Sequence, residues 1–219
     1  FAPPPITFPE FAAGQRSLRL TGYYLNMRGS GIDFNGIGAD GAYRKAQSEK
    51  WAVDGQLGAN MLGGTVAGMS ATIFSANGGA HVEHQLYKSK KASLIGYAGL
   101  SVNYALFSLA STLYPGVVMF GVPVGAQAKL DVNPLWQVLP FIAVTPYVGG
   151  FLIYDDMSTD SIDGFIVPSL GADLIYKPWD ISLGTLWQQA ASSGKNKEVQ
   201  TIMLQLTKRW GEGEGLLKK

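Results

Sequence analysis

The stretch Val199–Trp210, VQTIMLQLTKRW, alternates with period two. Ile202, Leu204, Leu206 and Trp210 fall on one face, and Thr201, Met203, Gln205, Thr207 and Arg209 on the other. A strand with one apolar and one polar face is predicted. At about 3.4 Å per residue it is long enough to cross a hydrocarbon layer when tilted. The same alternation recurs. Arg16–Met27 sets Leu18, Leu20 and Tyr24 against Arg19, Thr21 and Tyr23, and Trp51–Met61 sets Trp51, Val53, Leu57, Ala59 and Met61 against Asp54, Gln56 and Asn60. Val117–Leu130 sets Val118, Phe120, Val122, Val124, Ala126, Ala128 and Leu130 against Gly121, Gly125, Gln127 and Lys129. Phe165–Lys177 sets Ile166, Leu170, Ala172, Leu174 and Tyr176 against Ser169, Gly171 and Asp173. Two faces of such different chemistry imply two different solvents.

Further strands are predicted at Thr65–Ser75, Ala92–Val102, Tyr104–Leu113, Gln137–Tyr154 and Ile181–Gln189. With those above they total about ten, within a range of eight to twelve. Tight turns are expected at Leu62–Gly64, Tyr114–Gly116, Asp131–Trp136 and Lys177–Asp180, and long polar loops at Gly29–Lys50, Ala76–Lys91 and Asp155–Gly164. Short connections at one end and long ones at the other suit a membrane barrel, whose even strand number leaves both termini on one side. Pro123, Pro140, Pro146 and Pro168 fall inside proposed strands, where each removes a ladder donor, so bulges or strand ends are expected there.

Composition supports a lipid-solvated surface. Hydrophobic residues make up 47% and charged residues 15%, against about a quarter charged in soluble domains. Ala92–Ala128 and Val132–Tyr154 carry no charge, and a pair of membrane helices is the rival reading. Glycines and prolines, including Pro134, Pro140, Pro146 and the pair Gly149–Gly150, favour strands and turns instead. A net charge of +1 points to no nucleic acid partner. Without cysteine there is no disulfide scaffold and no catalytic thiol. Phe1 is expected to follow a removed signal peptide.

On these residues Val199–Trp210 resembles the closing strand of Gram-negative outer-membrane β-barrels, the small porin-like ones included, in which alternating apolar positions lead to a final aromatic. Lys208 interrupts the stripe, and Gly211–Lys219 continues past it. The resemblance implies an all-β, transmembrane, antiparallel up-and-down β-barrel in the cell outer membrane, with both termini periplasmic. Three segments are expected: a Pro-rich arm over residues 1–14, a barrel over 15–210 and a tail over 211–219. The expected partners are outer-membrane lipid and, through the arm, other envelope proteins.

If the apolar stripes face lipid, then Arg19, Asp54, Gln56, Asn60, Gln127, Lys129, Asp173, Gln205 and Arg209 line the lumen. A passive-diffusion channel for small solutes is the leading expectation. The alternatives are a structural or partner-docking barrel and a lipid-modifying hydrolase. For the last, His81, Glu83, His84 and Ser89 in HVEHQLYKS are the candidates, but no Gly-x-Ser-x-Gly frame surrounds the serine, and a solvated loop is favoured. Asp155, Asp156, Asp160 and Asp163 lack the ligand spacing of a calcium loop. No catalytic residue, metal site or cofactor is therefore assigned.

Overall fold

In a computed structural model, residues 12–29, 31–110, 112–154, 158–191 and 198–211 are described. Side chains at 112–115, 191 and 198 are not. Residues 1–11 of the expected arm 1–14 and residues 212–219 of the expected tail 211–219 lie outside this range.

The chain is a closed antiparallel barrel of 10 strands. They are β1 (Arg16–Gly29), β2 (Ile32–Ala46), β3 (Trp51–Val66), β4 (Met69–Lys88), β5 (Ala92–Leu109), β6 (Thr112–Gly121 continuing as Val124–Asp131) and β7 (Trp136–Ile153). Then follow β8 (Thr159–Ile162 continuing as Phe165–Tyr176), β9 (Ile181–Ala191) and β10 (Glu198–Gly211). Each pairs with its neighbours in sequence, and β1 pairs with β10 to close the ring, from Ser17↔Gly211 to Gly29↔Val199. Closure pairs the first strand with the last, so neither is a free sheet edge at the seam.

The predicted faces are those observed. Leu20, Leu57, Leu170, Leu204 and Leu206 are exposed on the outer surface, while Arg19, Thr21, Asp54, Gln56, Asp173, Gln205 and Arg209 are buried. At the end carrying the termini, outward aromatics form a belt. Trp136 lies 5.0 Å from Tyr176, which lies 5.6 Å from Trp179, and Trp51 packs on His84 at 4.1 Å. Such belts mark the level where a bilayer's hydrocarbon meets its headgroups. Lys208 leaves the apolar stripe by reaching along the wall, where its ammonium donates to the Trp179 carbonyl and lies 5.7 Å from the Trp210 ring centre.

Several boundaries differ from expectation. Gly29–Lys50 is mostly β2 rather than a loop, and Ala76–Lys91 is mostly β4. The expected strands Ala92–Val102 and Tyr104–Leu113 merge for most of their length into a single strand, β5, and the count of ten survived because one missed strand offset one split strand. The turn expected at Leu62–Gly64 falls at Ala67–Gly68, where φ values of 50° and 82° make a two-residue hairpin loop. Gly64 instead lets β2 approach, since a Cβ there would run into Asp33 and Phe34 backbone. Tyr114–Gly116 lies within β6. Connections are therefore short at both ends of the barrel.

Pro123 sits at a strand end, between Gly121 and Val124, and Pro140 and Pro168 sit at local gaps in the ladder. Between β6 and β7 the pairing skips from Leu130↔Val138 to Gln127↔Phe141, beside Pro140. Between β8 and β9 it skips from Ser169↔Gln188 to Ile166↔Ala191, beside Pro168. Pro123 interrupts β6, where its carbonyl accepts from the Gly99 amide, and the Pro146 carbonyl accepts from the Val122 amide, both at 2.9 Å.

Candidate functional site

The interior divides into two chemically distinct halves. In the half nearer the termini, inward positions of β1 to β4 and β8 to β10 carry a network of charged and amide side chains. Arg19 donates to Asp40 at 2.8 Å and to the Gln56 side-chain oxygen at 3.3 Å. Arg44 donates to Glu83 at 2.8 Å, and His81 Nδ1 lies 2.9 Å from Asp54 Oδ1. Gln205 donates to Asp173 at 2.9 Å, while an Arg209 nitrogen lies 3.5 Å from the same carboxylate and another 3.9 Å from Asp180. Across the closing seam Arg19 stands directly opposite Arg209, and Thr207 donates to Thr21. Burying charges costs several kcal/mol per ion unless they are paired, which is why each of these guanidinium groups has a carboxylate beside it.

Glycines on the neighbouring strand make room for the bulky members. Tyr23 faces Gly38, His81 faces Gly99, Tyr97 faces Gly125, Phe141 faces Gly171 and Asp173 faces Gly184. At each of these glycines an added Cβ would collide with the facing side chain.

Of the residues expected inside, Arg19, Asp54, Gln56, Asn60, Gln127, Asp173, Gln205 and Arg209 are buried. Lys129 is partly exposed at the end of β6, 3.8 Å from Asp131. Asn60 lies higher, accepting from Ser75 at 2.7 Å. Sequence reasoning missed Asp40, Arg44, His81 and Glu83, because it placed them in loops. Their signal was period two itself: His81, Glu83 and Gln85 alternate with Val82, His84 and Leu86.

The HVEHQLYKS cluster does not assemble. His81 and Glu83 are in the interior, His84 is on the opposite face, and Ser89 lies in the turn after β4, where it donates to the Ala92 carbonyl at 3.0 Å. Of the acidic set, Asp155 and Asp156 lie outside the described residues, and Asp160 accepts from Tyr154 at 2.7 Å, a bond that pushes the Tyr154 phenol above its ordinary value. Among the described residues no cluster of three or more His, Asp or Glu could hold a metal ion.

Toward the other end the inward residues change character. Leu25, Phe34, Leu62, Ile73, Phe107 and Met119 are among those lining a chamber of about 1010 Å³. Asn60, Ser75 and Asn103 line it too, and Asn103 donates to the Tyr147 hydroxyl at 3.0 Å.

No protein-family model and no curated protein matches the sequence. Solved structures do match. The outer membrane protease OmpT from Escherichia coli superposes with a TM-score of 0.55 at 7% identity, covering 94% of this chain and 99% of that one. The beta domain of the Bordetella autotransporter BrkA superposes at 0.52 with 11% identity, covering 88% and 98%. At such identities the shared property is the fold, and the fold is that of a Gram-negative outer-membrane β-barrel.

Proposed function

We propose that this chain is an outer-membrane β-barrel that holds an apolar ligand in its lumen. The observation that carries this reading is the apolar chamber in one half of a barrel whose other half is filled by ion pairs. An interior open to water would have no reason to be lined by Leu, Ile, Phe and Met. The volume is at the upper end of ordinary ligand cavities, which run from about 300 to 1,000 Å³. The outward apolar surface, its aromatic belt and the barrel fold support a place in the outer membrane. On that reading the termini and the charged half face the periplasm, and the chamber lies toward the outer leaflet.

A passive channel has less support. Asp173, Arg209 and Thr207 are each 0% exposed, which leaves no water beside them. A partner contact through the arm of residues 1–14 stays an expectation.

Nitroxide-labelled dodecanoate added to the purified barrel in detergent tests the chamber. A saturable, immobilised spectral component is expected, and Ala71→Trp with Ala105→Trp, which fill the chamber, should reduce it at least tenfold. An immobilised component that is indifferent to filling would overturn the reading.

A further inference from the structure

The chamber is graded in polarity along its depth. Asn60 on β3, Ser75 on β4 and Asn103 on β5 line it, each six residues from the end of its strand farther from the termini, at Val66, Met69 and Leu109. Tyr147 on β7, which accepts from Asn103, stands six residues from Ile153 and so at the same level. Six residues at about 3.4 Å each run about 20 Å along a strand, and a tilt of about 35–45° leaves about 15 Å of depth above this polar floor. From there to the rim the wall is apolar. Leu25, Leu62 and Ile73 come first, then Met27, Phe107, Leu109 and the facing pair Ile32 and Val66. Among the described residues that line the chamber none is Lys, Arg or His, and the carboxylate of Asp163 stands on the wall opposite β3, on β8.

This order is the reverse of what a tail-first amphiphile needs. Such a ligand would lay its methyl end on the amides and hydroxyl of the floor and leave its head among Ile32, Val66 and Leu109. Polar groups covered by hydrocarbon lose their water and gain no partner. The hydrogen bonds already made at the floor define the partner it takes. Ser75 gives its proton to Asn60, and Asn103 gives an amide hydrogen to Tyr147. The Ser75 oxygen and the Asn103 carbonyl oxygen are left as acceptors, so the complementary group is a donor. An ionised carboxylate only accepts, and it would meet no cation there. An ammonium would be stripped of water with no counterion at the floor.

We propose that the chamber takes an uncharged single-chain amphiphile with a hydroxyl or amide head, bound head inward. The head donates to Ser75 and Asn103, and the chain runs out past Leu62 and Ile73 toward Met27 and Leu109. This rests on the chamber being a ligand site, and it names the chemical class of the ligand and its direction. A few placed polar groups in an apolar cavity are what fixes a ligand's orientation, and the depth suits an extended dodecyl chain. Dodecanoate at neutral pH enters the other way round, keeping its carboxylate in the water at the mouth.

Methionine methyl groups can report the direction. Met119 pairs with Asn103 at the floor, Met27 lies near the rim at the end of β1, and both line the chamber. Met61 is on the outer face, 49% exposed, and reports ligand in the surrounding micelle. The barrel in detergent, isotope-labelled in its methionine methyl groups, receives dodecanamide or dodecanoate carrying a nitroxide near the chain terminus, at neutral pH. Relative to Met61, dodecanamide should broaden the Met27 resonance several-fold more than that of Met119, and dodecanoate should do the opposite. The same order for both ligands would overturn the proposal, and so would dodecylammonium behaving as dodecanamide does. As a second measurement, Asn60→Leu with Asn103→Leu should turn dodecanamide round, and an unchanged order in the folded double variant would count against the floor equally. Broadening of Met61 alone by every ligand would instead remove the chamber reading, and this inference with it.

Discussion

Asp173 and Gly184 stand opposite each other on β8 and β9, and the Asp173 carboxylate fills the space in which any side chain at position 184 would begin. Gly184→Ala must therefore displace the carboxylate from Arg209 and Gln205. Overpacking alone costs about 1–3 kcal/mol, and separating a buried pair about 3–5 kcal/mol. A loss in the upper part of that range is expected on urea unfolding in detergent. Gly63→Ala, at a position with open space around it, should stay within about 0.5 kcal/mol. Equal effects would mean that Asp173 has room to move.

Arg44 and Glu83 form a second buried pair at 2.8 Å, with side chains 2% and 1% exposed. Arg44→Met leaves the Glu83 carboxylate without its cation and should cost about 3–5 kcal/mol. Glu83→Leu added to Arg44→Met should recover most of that loss, because the pair's net worth is small beside the cost of one orphaned charge. The thermodynamic cycle of the two single variants and the double variant measures this directly, and additive losses would contradict it.

Leu204 lies on the outer face of β10, half exposed to the surrounding solvent. Leu204→Arg should cost about 2–4 kcal/mol of stability in a bilayer, whereas Leu204→Phe should be nearly neutral. Folding yield into vesicles, read from the shift in gel mobility between folded and heated protein, distinguishes the two. A harmless arginine would show that this face does not meet hydrocarbon.

The purified barrel should be electrically silent in a planar bilayer. Arg19, Arg44 and Arg209 are buried in the polar half, and on the proposed reading they leave ions no water-filled path. Discrete current steps from verified folded protein would restore the channel expected from the sequence.

Much of the wall was legible in the chain. β1, β3 and β10 could be read because an apolar outward residue alternates with a polar or charged inward one, as at Leu204 and Gln205. β2 could not, because FNGIGADGAYRKA satisfies the usual signs of a loop. Its glycines and charges are there for the interior: Gly38 accommodates the Tyr23 ring, and Asp40 and Arg44 pair with Arg19 and Glu83. In a barrel with a charged interior, polarity and small size mark the inward face of a strand as readily as a turn. The pairing of Asp54 with His81 could not be read at all, since it depends on the register between β3 and β4. The apolar chamber was hidden for a related reason. Where both faces are apolar, as in stretches of β7, alternation disappears, and β7 showed no preferred face in the sequence.

The seam between β1 and β10 differs from the other pairings. Elsewhere the partners are joined by a short connection and can meet as soon as both have been made; β1 and β10 lie at opposite ends of the chain. This joint brings Arg19 up against Arg209, two like charges, in a medium that screens little. Their counterions come from elsewhere, Asp40 on β2 and Asp173 on β8. A ring that tried to close before those two strands were in place would press guanidinium against guanidinium. Closure of the seam is therefore electrostatically favourable only with the strands that supply its carboxylates in position.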